Sequence, residues 1–260
     1  MKTNTIINGL VFTITLLLSA CSPTYYLPTK QNVMLFEEKG DAFITGNLAT
    51  DGLVGVEGGY SFSDNIGIYS SFNKFDISLY GNTNRFIKDF CWDNELVLYK
   101  RYKSGIYTGL NAGVGCGKFN VNNPYFDLGY NRQFIQPSFG MKIFNRIEHI
   151  DLAASYRLTR LNYNALFFQN LTDYDINMTK TYFNLTDILN GKSFYFFEPA
   201  LTLGFTYDFF KIRFQYARAF KFGEEMYFYQ RESISSSLSL DINKLFFNRT
   251  NKTKKLHWAF

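Results

Sequence analysis

Alternation of apolar and polar side chains from about Asp41 to Lys244 constrains the fold of this chain more than any other feature. From Ile135 to Ile143, every second residue is apolar or Pro, and the residues between them are Gln, Ser, Gly and Lys. A period of two places successive side chains on opposite faces of a β-strand. The pattern therefore predicts strands with one apolar face and one polar face.

Ten segments carry this pattern, and most are close to the ~9–11 residues with which a tilted strand crosses a bilayer. The segments are 41–49, 52–62, 66–75, 92–102, 106–118, 132–144, 149–162, 194–209, 211–221 and 232–245. Short connections (63–65, 103–105, 145–148 and the junction at 210) alternate with mostly long ones (76–91, 119–131, 163–193 and 222–231). Such sorting is typical of membrane barrels. We predict an all-β, closed antiparallel up-and-down transmembrane β-barrel of about ten strands, with eight as the alternative.

The composition fits this fold and excludes several others. The chain has 260 residues, of which 46% are hydrophobic and 19% aromatic, and its formal net charge is +5. A chain this rich in aromatic residues is not disordered, and after residue 20 no run approaches the ~20 apolar residues of a spanning helix. With 2 His and 3 Cys, few groups are available for metal or thiol chemistry. We expect no enzymatic activity, cofactor, metal site or nucleic-acid partner.

The first 21 residues have the layout of a signal peptide. Lys2 precedes an apolar stretch from Ile6 to Leu18, and Leu18-Ser19-Ala20-Cys21 follows. The apolar stretch has the length of a signal-peptide core and is shorter than a bilayer span. The quartet resembles the lipobox of bacterial lipoproteins, which implies that Cys21 becomes the acylated first residue of the mature chain. The alternative is an ordinary secretory signal with a coincidental Cys.

With this quartet and the hairpin from Gly58 to Gly67, the chain resembles the small outer-membrane β-barrel proteins of Gram-negative bacteria, in particular an uncharacterised subgroup with a lipobox. The resemblance implies an outer-membrane location and a barrel, but no reaction. It divides the chain into a signal peptide (1–20), a periplasmic linker with acylated Cys21 (21–40), the barrel (41–247) and a basic tail (248–260). An even number of strands places both termini on the periplasmic side.

Alternation also predicts which charged side chains face the lumen. A barrel of about ten strands is only slightly wider than barrels filled by their own side chains. The charged residues on the predicted polar faces are Glu57, Glu95, Arg101, Lys142, Asp151, Arg157, Glu198 and Arg213. We interpret them as ion pairs across a filled lumen, because an unpaired buried charge is costly. The alternative is a charged constriction in a narrow pore.

Cys91 and Cys116 flank the predicted hairpin of the fourth and fifth strands. A register that pairs Tyr102 with Gly105 sets the two thiols opposite each other and predicts a disulfide in an oxidising envelope. A register that pairs Leu98 with Leu110 matches the apolar faces better and moves the thiols to opposite faces. The sequence leaves both registers open.

The predicted loop 163–193 is unusually apolar for a solvated connection. Its large apolar side chains include Phe167, Phe168, Tyr174, Tyr182 and Phe183. We predict that this loop contacts other envelope proteins, and that the barrel itself contacts outer-membrane lipids. The expected function is a structural or accessory role in an envelope complex. The alternatives are a narrow channel for small solutes and an anchored, lipocalin-like barrel that binds a lipophile.

Overall fold

The computed structural model describes Tyr26 and residues 28–33, 36–49, 52–76, 87–122, 125–144, 148–168, 191, 193–207, 209–222 and 232–246. The elements are β1 (Ala42–Ala49), β2 (Leu53–Ser63), β3 (Ile66–Asp76), β4 (Ile87–Arg101), β5 (Ile106–Asn122), β6 (Tyr125–Phe144), β7 (Glu148–Phe168), β8 (Ser193–Tyr207), β9 (Phe210–Arg218), β10 (Phe220–Phe222), β11 (Glu232–Asp241) and α1 (Ile242–Phe246). Among the described residues, no helix is long and apolar enough to cross a bilayer.

The strands form one closed antiparallel sheet. Neighbours in sequence pair with each other from β1 to β8, β8 pairs with β9, and β11 lies between β9 and β1. Ala219 divides one wall strand into β9 and β10, which both pair with β8. The wall therefore has ten strands, and the prediction of a closed ten-stranded barrel is confirmed.

In the described part of the longer strands, buried inward-facing side chains alternate with more exposed outward-facing ones. In β8 this alternation is continuous from Phe194 to Tyr207. The outward positions are mostly large and apolar; Leu201, for example, is 62% exposed and Leu48 is 59% exposed. The predicted period of two thus corresponds to an apolar exterior around a largely polar interior.

The connections differ in length between the two ends of the barrel. At the short-turn end, the strands are joined by 64–65, 102–105, 145–147 and 208–209, and Asp41 and α1 also lie there. The opposite end, which we call the long-connection end, carries 77–86, 169–192 and 223–231 but also two very short links at 50–52 and 123–124. This asymmetry agrees with the predicted sorting, apart from one loop.

That loop is the predicted connection 119–131, which is wrong. β5 continues to Asn122 and β6 begins at Tyr125, and the two strands pair along their whole length. β7 likewise continues to Phe168, so Phe167 and Phe168 belong to a strand and not to a loop. In β6 the apolar and polar residues still alternate from Phe126 to Asn131, but Leu128 and Tyr130 are buried in the lumen, whereas the apolar residues from Ile135 to Ile143 face outward. The extension was missed because its apolar residues are out of phase with those of the predicted strand. Tyr174, Tyr182, Phe183 and the tail 248–260 lie outside the described residues.

The wall is much higher on one side than on the other. β6 and β7 have 20 and 21 residues, whereas β1 has 8 and β11 has 10. At the long-connection end, β8 begins opposite Asn162, from where β7 continues to Phe168. The barrel therefore has a low rim at β8, β11 and β1 and a high rim at β5 to β7.

Candidate functional site: the filled lumen

The lumen is occupied by the part of the chain that precedes the first strand. Thr29 to Val33, Tyr26 and Phe36 are all buried, with at most 9% of each residue exposed. We call the described residues between 26 and 38 the lumen segment. The prediction of a periplasmic linker at 21–40 is corrected for these residues, because they pack inside the barrel instead of beneath it.

Lys30 and Asn32 anchor the lumen segment to five strands. The Lys30 Nζ donates to Glu57 Oε1 of β2 at 2.5 Å and to Asn47 of β1 at 3.0 Å. The Asn32 amide donates to Glu95 of β4 at 2.9 Å. The Asn32 carbonyl accepts hydrogen bonds from Asn111 of β5 and Gln136 of β6.

Gln31 contacts the remaining arc of the wall. Its backbone N–H donates to Gln215 Oε1 of β9 at 2.7 Å, and its side-chain amide donates to the Glu198 carbonyl of β8 at 2.7 Å. The Ser155 hydroxyl of β7 donates to Gln31 Oε1 at 2.8 Å. Three consecutive residues of the segment thus bond to eight different strands, so the segment fills the cross-section of the lumen.

Two buried guanidinium groups support this segment from the β6 and β7 side. Arg132 forms an ion pair with Asp93, with Nε 2.6 Å from Oδ1. Arg132 and Arg157 each donate to the Thr29 hydroxyl at 2.9 Å, and Arg157 lies 3.8 Å from Glu95. Sequence reasoning missed Asp93 and Arg132, although each has the same parity as a predicted lumen charge on its own strand, Glu95 and Lys142 respectively.

The structure places most of the predicted lumen charges inside the barrel. The buried ones are Glu57, Glu95, Lys142, Asp151, Arg157, Glu198 and Arg213. Arg101 differs from the prediction, because it is exposed at the last position of β4 and donates to the Glu37 carbonyl at 2.8 Å. The expected pairing within this set occurs between Arg157 and Glu95, whereas Glu57 and Lys142 pair with the lumen segment.

A carboxylate surrounded by amines closes the short-turn end. Glu37 lies 2.6 Å from Lys142, 3.4 Å from Lys244 of α1 and 3.8 Å from Lys211. Burial by itself raises the pKa of Glu37, but the positive charges of Lys211, Lys142 and Lys244 outweigh it and hold the pKa well below its usual range. The group is therefore ionised at neutral pH and binds the lumen segment to both the wall and α1.

Above this carboxylate, Phe36 forms the centre of an aromatic cluster. Its ring stacks on Tyr69 at 4.9 Å between centroids and contacts Phe43 and Tyr99. The ring also lies against Gly67, where an added Cβ would be 2.4 Å from a ring carbon. Gly67 is therefore the wall position that leaves room for the segment's largest apolar anchor.

At the other end of the segment, Tyr26 stacks on Phe196 of β8, with 4.0 Å between centroids and an interplanar angle of 11°. Its hydroxyl donates to Glu198, which also accepts from Thr159. Inward-facing residues nearer the long-connection end are largely apolar and buried: Leu53, Phe75, Cys91, Leu128, Tyr130, Leu161, Tyr163 and Phe194. The lumen therefore has a polar middle between two apolar layers.

Cys91 and Cys116 form no disulfide and lie on opposite faces of the wall. Cys91 is buried in the lumen and Cys116 is exposed on the outside. Leu98 pairs with Leu110 and Cys91 pairs with Gly117, which is the register favoured by matching apolar faces. The predicted alternative of a disulfide is therefore wrong. Among the described residues, no group of three or more His, Cys, Asp or Glu is arranged to hold a metal ion.

A scan against protein-family models found no match, and neither did a search of curated proteins. Among solved structures, the chain is similar to the translocator domain of autotransporter NalP from Neisseria meningitidis, at 10% identity over 78% of this chain and 87% of that one, with a TM-score of 0.41. It is also similar to the β domain of the Bordetella autotransporter BrkA, at 12% identity over 78% of this chain and 99% of that one, with a TM-score of 0.40. A third similar structure is outer membrane phospholipase A from Escherichia coli, at 10% identity over 78% of this chain and 92% of that one, with a TM-score of 0.28. Similarity this distant leaves the function open.

Proposed function

We propose that this chain is an outer-membrane β-barrel lipoprotein whose lumen is closed by its own amino-terminal segment, and that it serves the envelope as a structural or accessory component. The observation that carries the proposal is the set of hydrogen bonds from Lys30, Gln31 and Asn32 to eight of the ten wall strands. A lumen occupied in this way leaves no continuous aqueous path at that level.

The exterior supports the membrane part of the proposal. Large apolar side chains are exposed on every wall strand, from Ile44 on β1 to Leu240 on β11, and in water this surface would be costly. In a bilayer the same surface contacts acyl chains, and a closed ladder leaves no unpaired sheet edge in hydrocarbon. An anchored, lipocalin-like barrel would instead expose this apolar belt to water, so the exterior argues against that alternative.

Two further parts of the proposal rest on the sequence alone. Acylation of Cys21 follows from the Leu18–Cys21 quartet. A partner that binds the apolar connection after β7 follows from residues such as Tyr182 and Phe183. Both fit a barrel that acts by being present in the membrane and not by turning over a substrate, and we propose no catalytic role.

A narrow channel is the second candidate, and one observation favours it. The wall at the level of the segment carries buried carboxyl and guanidinium groups, among them those of Glu57, Glu95 and Arg157. If the segment left, these groups would line an aqueous path, as they do in charged pore constrictions. The two candidates differ only in whether the segment stays in place.

Conductance across planar lipid bilayers separates them. The full mature chain is compared with a variant in which 26–38 is replaced by a Gly/Ser linker of equal length. We expect no steady conductance from the full chain and a steady conductance from the variant. A steady conductance of the full chain would overturn the closed-lumen proposal. Flotation with vesicles and a heat-dependent shift in gel mobility show that both barrels are inserted and folded.

A further inference from the structure

The lumen segment runs in a defined direction along the barrel axis. Glu37 is held by Lys142 and Lys244 at the short-turn end. Lys30 lies at mid-wall, beside Glu57. Tyr26 stacks on Phe196, the fourth residue of β8 counted from the long-connection end. From Glu37 back to Tyr26, the chain therefore runs from the short-turn end towards the long-connection end.

The lumen between Tyr26 and the short-turn end is already occupied by the lumen segment. Residues 30–32 already bond to eight of the ten strands and fill the cross-section there. The wall offers no side exit, because the ladder of strand pairs is continuous around the barrel. The mouth at the long-connection end is the remaining way out.

The distance to this mouth is short on one side. Phe196 lies three residues from Ser193, where β8 begins, which is ~10 Å at ~3.3 Å per strand residue. Cys21 precedes Tyr26 by five residues, which span at most ~17 Å when extended. The rim that Tyr26 faces is the low one, and its outward side chains Tyr195, Phe220 and Phe222 are exposed and aromatic.

We propose that the amino-terminal end of the mature chain leaves the lumen over the low rim of β8, β11 and β1, so that an acyl group on Cys21 enters the membrane leaflet on the long-connection side. This inference rests on the proposed membrane barrel and on acylation of Cys21. It replaces the expectation that both termini face the periplasm: α1 and the chain after it start from the short-turn end, whereas the acylated end is on the opposite side. The barrel would thus be anchored to the outer surface by a chain threaded through its own lumen.

Cysteine labelling in intact cells tests this topology. The parent variant carries Cys91→Ser and Cys116→Ser and keeps Cys21, whose sulfur is blocked when acylated. Ser22→Cys then places a thiol next to the anchor. Two matched controls carry Asn65→Cys, in the exposed β2–β3 turn at the short-turn end, or Glu232→Cys, at the long-connection end of β11. Each variant is treated with a membrane-impermeant maleimide before and after permeabilisation of the outer membrane.

We expect Ser22→Cys to be labelled in intact cells to the same extent as Glu232→Cys, while Asn65→Cys reacts only after permeabilisation and the parent does not react. Labelling of Ser22→Cys only after permeabilisation, or only after denaturation, would overturn the inference while leaving the barrel in place. If Asn65→Cys reacts in intact cells and Glu232→Cys does not, the proposed orientation of the barrel itself fails. Labelling of the parent would show that Cys21 is not acylated and overturn the anchor.

Discussion

At the residue scale, the ion pair between Lys30 and Glu57 decides how firmly the segment is held. Both side chains are at most 4% exposed and their charged atoms are 2.5 Å apart. A buried pair of this kind contributes little net stability, but the loss of one partner leaves an uncompensated charge. Loss of either Lys30 or Glu57 alone is therefore expected to destabilise the lumen segment in this position.

We expect Lys30→Met to destabilise the folded barrel by about 3–5 kcal/mol, because the Glu57 carboxylate is then left buried without its positively charged partner. The double variant Lys30→Met/Glu57→Leu should recover most of the lost free energy of unfolding, since it also removes the unpaired Glu57 carboxylate. Guanidinium unfolding in detergent micelles measures both. Equal losses in the single and the double variant would contradict the pairing.

Glu37 gives the segment a dependence on pH. Its pKa in the folded barrel lies below the usual value of about 4.3, so its contribution to stability is complete above the unfolded pKa. As pH falls through and below that value towards the folded pKa, the contribution is lost. The charged groups that face it are Lys142, Lys211 and Lys244.

We expect the unfolding midpoint of the full chain to fall between pH 5 and pH 2 by more than that of Glu37→Gln, which has no charge to lose there. Glu38→Gln is the matched control, because Glu38 is the neighbour of Glu37 in sequence but its side chain is exposed. Its pH profile should follow that of the unmodified chain. Identical profiles for Glu37→Gln and the unmodified chain would rule out this contribution.

At the element scale, β3 is shaped to receive the lumen segment. Gly67 lies under the Phe36 ring, and an added Cβ would approach it to 2.4 Å. By contrast, an added Cβ at Gly46 of β1 meets nothing within 4 Å. The two glycines therefore separate a requirement for space from a general effect of glycine in strands.

We expect Gly67→Val to push Phe36 out of the aromatic cluster and to lower stability by about 1–3 kcal/mol, the usual range for overpacking. Gly46→Val should have no such effect, or a small stabilising one, since strands favour β-branched residues. Bilayer conductance adds a second readout, because displacement of Phe36 loosens the segment. An increase in open events for Gly46→Val but not Gly67→Val would contradict this account.

At the scale of the whole molecule, the apolar exterior must match a bilayer. Leu201 lies in the middle of β8 and is 62% exposed, whereas Ile66 begins β3 at the short-turn end. A Lys on the lipid face costs about 2–4 kcal/mol at the bilayer midplane and about 0–1 kcal/mol near its surface.

Leu201→Lys should therefore lower the stability of the barrel in lipid vesicles by about 2–4 kcal/mol, and Ile66→Lys by less than about 1 kcal/mol. Unfolding titrations in vesicles measure both losses. If Leu201→Lys were neutral and the protein stayed in solution without lipid or detergent, the membrane proposal would fail.

The local chemistry of each strand was enough to predict the wall. Alternation depends on neighbours in sequence, so it placed Glu57, Glu95 and Arg157 on the inner face. It left two registers open for Cys91 and Cys116, and only the structure decided between them. Alternation failed at Arg101, where β4 ends and parity no longer sets direction. It also failed to predict the start of β6 at Tyr125, because Leu128 and Tyr130 lie on the inner face there, whereas the apolar residues from Ile135 to Ile143 lie on the outer face.

The sequence by itself determined a closed barrel of about ten strands with an apolar exterior, because a period of two and the sorted turns are local properties. Only the tertiary structure decided what fills the lumen. Gln31 donates a hydrogen bond to Gln215, which lies 184 residues away in sequence. No periodicity in residues 26–38 predicts such a contact. The segment is held by polar groups that become partners only when the wall has closed around them, so its position is a property of the assembled barrel and not of the segment's own sequence.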